Sequence, residues 1–116
     1  MFSKDMHVSL LLDFYGDILP ERRYEMTSLY YNDDLSLSEI ADICGISRQG
    51  VRDAVKKSEL ELRELEEKLG LAARFAAVRA QLDDISKSIE DISESVGESE
   101  SAQLRGIAES LKGMNI

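Results

Sequence analysis

The sequence predicts an all-α fold: a helix-turn-helix bundle over residues 1–70, followed by a carboxyl-terminal helical arm over residues 71–116. Three observations predict it. One proline and seven glycines interrupt 116 residues in which Ala, Leu, Glu, Lys and Arg fill long stretches and alternating β-branched runs are few, so helix is the default and no segment reads as a convincing strand. Two short stretches each carry a helix-start signal and meet at a single glycine, Gly45. Beyond them, apolar residues recur at alternating four-three spacing, the periodicity of a packed helix seam. A hydrophobic fraction of 43% in so short a chain suits one modest core with an appended helix and leaves no room for a second full domain.

The elements follow in order. Val8, Leu11, Leu12 and Tyr15 fall at helical spacing within residues 3–16, with Gly16 near the end, and predict the first helix. Pro20 followed by Glu21 suits a helix start, because proline's fixed φ fits the first turn and an acid favours the amino end of the dipole. This second helix should reach Tyr31 and stop at Asn32, Asp33 and Asp34, whose side chains favour turns. Ser36 with Glu39 three residues later reads as a capping box, with Leu35 and Ile40 as its hydrophobic staple. That third helix should end near Cys44, where Gly45 supplies the permissive turn. Ser47 caps a fourth helix, with Ile46 and Val51 as a second staple. Its seam is Val51, Val55, Ser58, Leu62, Leu65, Leu69 and Ala72, and a bend is expected near Gly70.

A second seam then begins in shifted register at Leu71, Phe75, Val78, Leu82, Ile85, Ile89, Ile92 and Val96. Its flanking positions after Leu82 are Ser86, Ser88, Ser93 and Ser95. Charged residues at such positions usually set partner and orientation, and serines leave both unspecified. Close packing within a homodimer is therefore expected of this arm, with an intramolecular role as the alternative. Residues 97–101, GESES, read as a polar hinge before a short closing helix with Leu104, Ile107, Ala108 and Leu111.

Charge narrows the function. Fourteen basic against 23 acidic residues give a net charge of −9, a field that opposes general attraction to a polyanion. Between Ile46 and Lys57 the balance reverses, with Arg48, Arg52, Lys56 and Lys57 against Asp53 alone. A helix-turn-helix needs a small residue inside its first helix, a glycine at the turn and apolar residues locking the second; Ala41, Gly45, Ile46, Val51 and Ala54 meet those demands. The candidate nucleic-acid-binding residues are then Ser47, Arg48, Gln49, Arg52, Lys56 and Lys57, since Arg and Gln suit base edges and Lys suits phosphates. A helical hairpin used only for packing is the competing reading.

Other chemistries find little support. The lone cysteine, Cys44, cannot form an internal disulfide, and His7 is the only histidine, so neither a disulfide framework nor a metal site is expected. The acid pairs Asp33–Asp34, Glu66–Glu67 and Asp83–Asp84 read as solvated faces and turns. No phosphate loop, nucleophile elbow or triad spacing appears, so no catalysis and no cofactor are expected. Of the adjacent Tyr30 and Tyr31, one should face the core and one solvent, where it could stack on a base. No signal peptide is recognisable, and no window approaches the ~18 uninterrupted apolar residues of a membrane span. A cytoplasmic protein without membrane insertion is expected.

The run LYYNDDLSLSEIADICGISRQGVRDAVKKSE, residues 29–59, and LLDFYGDIL, residues 11–19, resemble the YlxM-like proteins of bacteria, whose core looks like sigma-factor region four. The resemblance is strong from Leu10 to Leu71 and continues more loosely to the carboxyl end. It implies a cytoplasmic, non-catalytic protein whose gene accompanies those of the signal recognition particle and its receptor. It further implies a regulatory or accessory role in that pathway, through the particle's RNA or its GTPase. A sequence-specific DNA-binding regulator of transcription and a pure protein-interaction module are the alternatives. Two positions depart from the family pattern: Pro20 stands where a hydroxyl residue is frequent, and Gly50 where alanine is usual, at a helix-propensity cost of about 1 kcal/mol.

Overall fold

A computed structural model describes residues 4–115; the expected helix start at residue 3 lies outside them. Among the described residues the elements are all helical: α1 (Met6–Tyr15), a single 3-10 turn (Gly16–Ile18), α2 (Glu21–Tyr31), α3 (Leu37–Cys44), α4 (Arg48–Leu69), α5 (Leu71–Ser93) and α6 (Glu98–Lys112). There is no strand among them, so the bundle lacks the wing of a winged helix. The chain divides into two compact units, one ending at residue 72 and the other beginning at residue 73.

The helix boundaries of the first unit follow local chemistry. Asp5 accepts the His7 N–H at 2.9 Å and caps α1. Pro20 precedes α2 without a side-chain cap. At α3 both halves of the capping box form: the Glu39 N–H donates to Ser36 Oγ at 3.1 Å and the Ser36 N–H to Glu39 Oε1 at 3.0 Å. Gly45 adopts the left-handed conformation with φ 68°, and Gly70 does the same at φ 64° where α4 ends. An L-residue there would bring its Cβ against the carbonyl, which is why glycine punctuates both turns.

Three helices pack on α4. Val51, Val55, Ser58 and Leu62 form its buried stripe. Val8, Leu11, Leu12 and Tyr15 of α1, Met26 and Tyr30 of α2, and Leu37, Ile40 and Ala41 of α3 join it in one core. Leu35, Ile46 and Leu65 pack at its edge, while Leu69 at the end of the predicted seam is exposed. Polar groups stitch the same helices together. Arg23 donates to Ser58 Oγ and to both carboxylate oxygens of Glu61, and Arg63 pairs with Asp5 at 2.8 Å. Tyr15 donates to Glu66 at 2.6 Å and accepts the Leu71 N–H, while Glu66 also accepts the Ala72 N–H. The first turn of α5 is thereby satisfied by side chains of the bundle.

Tyr30 and Tyr31 correct the sequence reading, because both are buried and neither faces solvent. Their rings meet edge to face at 5.0 Å. The Lys4 ammonium covers the Tyr30 ring at 4.3 Å, and the Tyr31 hydroxyl donates to Glu59. Burial, reinforced by that carboxylate, pushes the Tyr31 phenol well above its ordinary range. Neither of these two rings is therefore presented for base stacking.

The second unit is a hairpin of α5, from residue 73, and α6. Arg79 donates to the carbonyls of Leu111 and Met114, and Ser86 reaches the Ala108 carbonyl, so the helices run antiparallel. Two expectations fail in this unit. Glu98 and Glu100 of the GESES segment lie in the first turn of α6, with Gly97 as its N-cap residue; acids there favour the positive end of the helix dipole, so the segment extends the helix. Ser86 and Ser93, read as flanking positions, are buried, because small residues let two helices approach closely.

Two outcomes check this packing. Ala41 is 8% exposed within the core, and Ala41→Leu should destabilise the protein by about 1–3 kcal/mol through overpacking. A melting temperature several degrees lower is the expected reading; an unchanged melting curve would contradict the close approach of α3 to its neighbours. The second outcome concerns acid. Arg63 and the His7 amide lower the Asp5 pKa, Lys4 lowers that of Asp34, and the Ser36 amide and hydroxyl lower that of Glu39. Depressed folded-state values mean stability that is present above the ordinary pKa and lost as pH falls through the folded one. Melting temperature should therefore decline once pH drops below 4.5, the ordinary value for Glu39, and further below 3.8, that for Asp5 and Asp34. Glu39→Gln, which keeps an acceptor but does not titrate, should reduce this dependence; the same acid profile in both proteins would contradict it.

Candidate nucleic-acid interface

The turn between α3 and α4 is held from three sides. The Gly45 and Ile46 N–H groups both donate to the Ala41 carbonyl, at 2.9 and 3.2 Å, which closes α3. Ser47 Oγ accepts the Gly50 N–H at 3.0 Å and opens α4. From α2, Arg22 donates to the Cys44 carbonyl at 2.8 Å, satisfying one of the carbonyls that a helix end leaves over. Arg22 thereby adds a cation beside the turn. Counting charge along residues 46–57 missed it, and the only signal was the Arg22–Arg23 pair within the second helix.

The six candidate residues divide by geometry. Arg48, Gln49, Arg52, Lys56 and Lys57 are all exposed on α4. Arg48, Arg52 and Lys56 are spaced four residues apart, so they form one row along the helix. Lys57 stands about 100° around the helix from Lys56 and does not continue that row. Gln49 Nε2 donates to Asp53 Oδ1 at 2.9 Å, which orients the amide and places an acid beside the row. Ser47 is exposed too, but its oxygen is engaged as the cap. Leu37, Arg48, Gln49 and Arg52 line a hollow of about 300 Å³, so the start of the row flanks a depression at the junction of α3 and α4.

Electrostatics favours an anion at this end of α4. Its first turn holds no acid, and a helix amino terminus carries a partial positive charge that adds to Arg48 and Arg52. Several cations of the fold are engaged by acids: Lys4 by Asp34, Arg23 by Glu61, Arg63 by Asp5, Lys68 by Glu64, Arg79 by Asp83 and Lys112 by Glu90.

Gly50 is half-buried and less neutral than its propensity suggests. A Cβ there would lie 3.2 Å from Ser47 Oγ and 3.4 Å from Ile46 Cδ1, so alanine would crowd the cap that starts the helix. Among the described residues no group of three His, Cys, Asp or Glu side chains could hold an ion. No described helix is long and apolar enough to cross a membrane.

Comparison with known proteins gives the family of the helix-turn-helix. The family model UPF0122, described as "Putative helix-turn-helix protein, YlxM / p13 like", matches residues 2–103. A UPF0122 protein of Thermoanaerobacter sp. (strain X514) is 45% identical over 89 residues, covering 77% of this chain and 76% of that protein. A UPF0122 protein of Symbiobacterium thermophilum is 41% identical over 83 residues, covering 72% and 78%. One of Halalkalibacterium halodurans is 47% identical over 75 residues, covering 65% and 69%. With the capped helix pair at its centre and a match over most of its length, the chain belongs to the UPF0122 family of YlxM/p13-like helix-turn-helix proteins.

Proposed function

We propose that this chain is a non-catalytic, cytoplasmic protein that binds nucleic acid through the Arg48–Arg52–Lys56 row of α4. The observation that carries the reading is the orientation of α4. Its stripe of Val51, Val55, Ser58 and Leu62 is locked into the core while the cationic row stays exposed, in a protein whose net charge of −9 would otherwise repel a polyanion. Phosphate contacts by Arg52 and Lys56 would position the helix, and Arg48 and Gln49, nearest its start, would reach base edges or a groove.

The finer reading makes it an accessory or regulatory factor of the signal recognition particle pathway, acting on the particle's RNA or its GTPase. Its support is the resemblance to YlxM-like proteins, whose genes accompany those of the particle and its receptor. On an RNA target, recognition would go by shape, with little base preference. The alternative is a sequence-specific DNA-binding regulator, favoured by the pairing of Arg48 with Gln49 at the exposed start of α4, residue types that read guanine and adenine.

Fluorescence-anisotropy titrations with the particle's RNA, scrambled RNA and duplex DNA across salt concentrations test these readings. Lys56→Ala should weaken binding to all sequences alike and lessen the slope of log affinity against log salt by about 0.7–0.9, the loss of one phosphate contact. Lys57→Ala, outside the row, should change the slope less. Arg48→Ala should alter preference between sequences only if DNA is the target. Equal binding by all these variants, or no binding by the unaltered protein, would assign the helix-turn-helix to protein contacts instead.

A further inference from the structure

The carboxyl-terminal hairpin has an unusual distribution of side-chain size. From residue 73 onward, the buried residues are Ser86, Ser93 and Ala108 among the described ones. All three are small, and the larger Phe75, Val78, Leu82, Ile89, Leu104 and Leu111 are half-buried along the pair. Three isoleucines stand farther out: Ile85 is 49% exposed, Ile92 53% and Ile107 52%.

Their positions follow one rule. The residue before each buried small residue is isoleucine: Ile85 before Ser86, Ile92 before Ser93, Ile107 before Ala108. The residue after each is charged: Lys87, Glu94 and Glu109. One residue turns a helix by about 100°, and the same rotational step on two antiparallel helices leads to the same side of the pair. The hairpin therefore has an aliphatic side and a charged side. On the charged side lie the Lys112–Glu90 ion pair and a hollow lined by Glu90, Ser93, Glu94, Arg105 and Glu109. On the aliphatic side α5 continues with Ser88 and Ile89 and carries no charge from Ile85 to Ile92.

We infer that this aliphatic side, centred on Ile85, Ile92 and Ile107, is the interface through which a second copy of the chain docks, completing a four-helix bundle. A two-helix hairpin whose fully buried residues are all small and whose larger apolar residues are only half-buried has a thin core, and a second layer against its apolar side completes it. The area suffices. Helices of 23 and 15 residues at 1.5 Å per residue and about 10 Å width present roughly 550 Å² per copy. A pair then buries roughly 1,100 Å², above the roughly 1,000 Å² of a specific interface. The surface also complements itself: a two-fold axis sets isoleucine against isoleucine, and two chains of net charge −9 meet where this side of α5 carries no charge from Ile85 to Ile92. A nucleic acid would find no cation in that stretch, and an anionic membrane would face the acids Asp84 and Asp91 of the same helix.

The inference is independent of the nucleic-acid reading, and sedimentation of the full chain at micromolar concentration tests it alone. The expected species has twice the 13.0 kDa chain mass. Ile85→Glu/Ile92→Glu should abolish the dimer while circular dichroism stays helical, since both side chains are already half in water in the single chain. Ile107→Glu, on the other helix, should do the same, and Lys87→Glu on the charged side should leave the dimer intact. A monomeric unaltered protein overturns the inference, whether or not the face then captures a different protein. Dimers that persist in both isoleucine variants overturn it too.

Discussion

The burial of one stripe on α4 governs the first unit. Val51, Val55, Ser58 and Leu62 are fully covered by α1, α2 and α3, and each large apolar side chain so buried contributes about 1.5–3 kcal/mol. Ser58 in the middle is small enough for α2 to come close, and Arg23 reaches its hydroxyl. Because a helix is rigid along its length, fixing this stripe also fixes what its exposed flanks present. The backbone positions of Arg48, Arg52 and Lys56 are thus set by the core.

Charge in this protein works by local arrangement. Several cations are held by carboxylates within the fold, as Arg63 is by Asp5 and Lys4 by Asp34, and such exposed pairs contribute little to stability. They do, however, remove positive charge from the rest of the surface. Near the turn stand a short exposed cationic row, a helix terminus of the same sign, and Arg22 at the Cys44 carbonyl. A weak, positioned site of this kind suits recognition of a particular backbone geometry better than indiscriminate adhesion to a polyanion.

Much of this was legible in the sequence because it depends on neighbours in the chain. The Ser36–Glu39 box, the Ser47 cap and the glycines at 45 and 70 are local signals, and each is where spacing put it. The errors have a common origin in contacts distant along the chain. Tyr31 is buried because Glu59, 28 residues on, accepts its hydroxyl, and Tyr30 because Lys4 lies over its ring. Ser86 and Ser93 took the inside of the hairpin because α6 packs against them, which displaces the isoleucines that periodicity assigned to a single seam. Arg22 belongs to the turn only through a fold that brings α2 beside the end of α3. The seam repeat of α5 records two faces at once, and its period alone does not separate them.

The central claim, that the buried stripe of α4 sets a nucleic-acid site on the helix's exposed flank, is tested most directly by mapping amide chemical shifts. An isotope-labelled sample of the full chain would be titrated with an RNA hairpin and with duplex DNA. The account predicts that the largest shifts fall at residues 45–57 and at Arg22, with Ile85, Ile92 and Ile107 unmoved. Shifts confined to residues outside this set, or none with either nucleic acid, would contradict it.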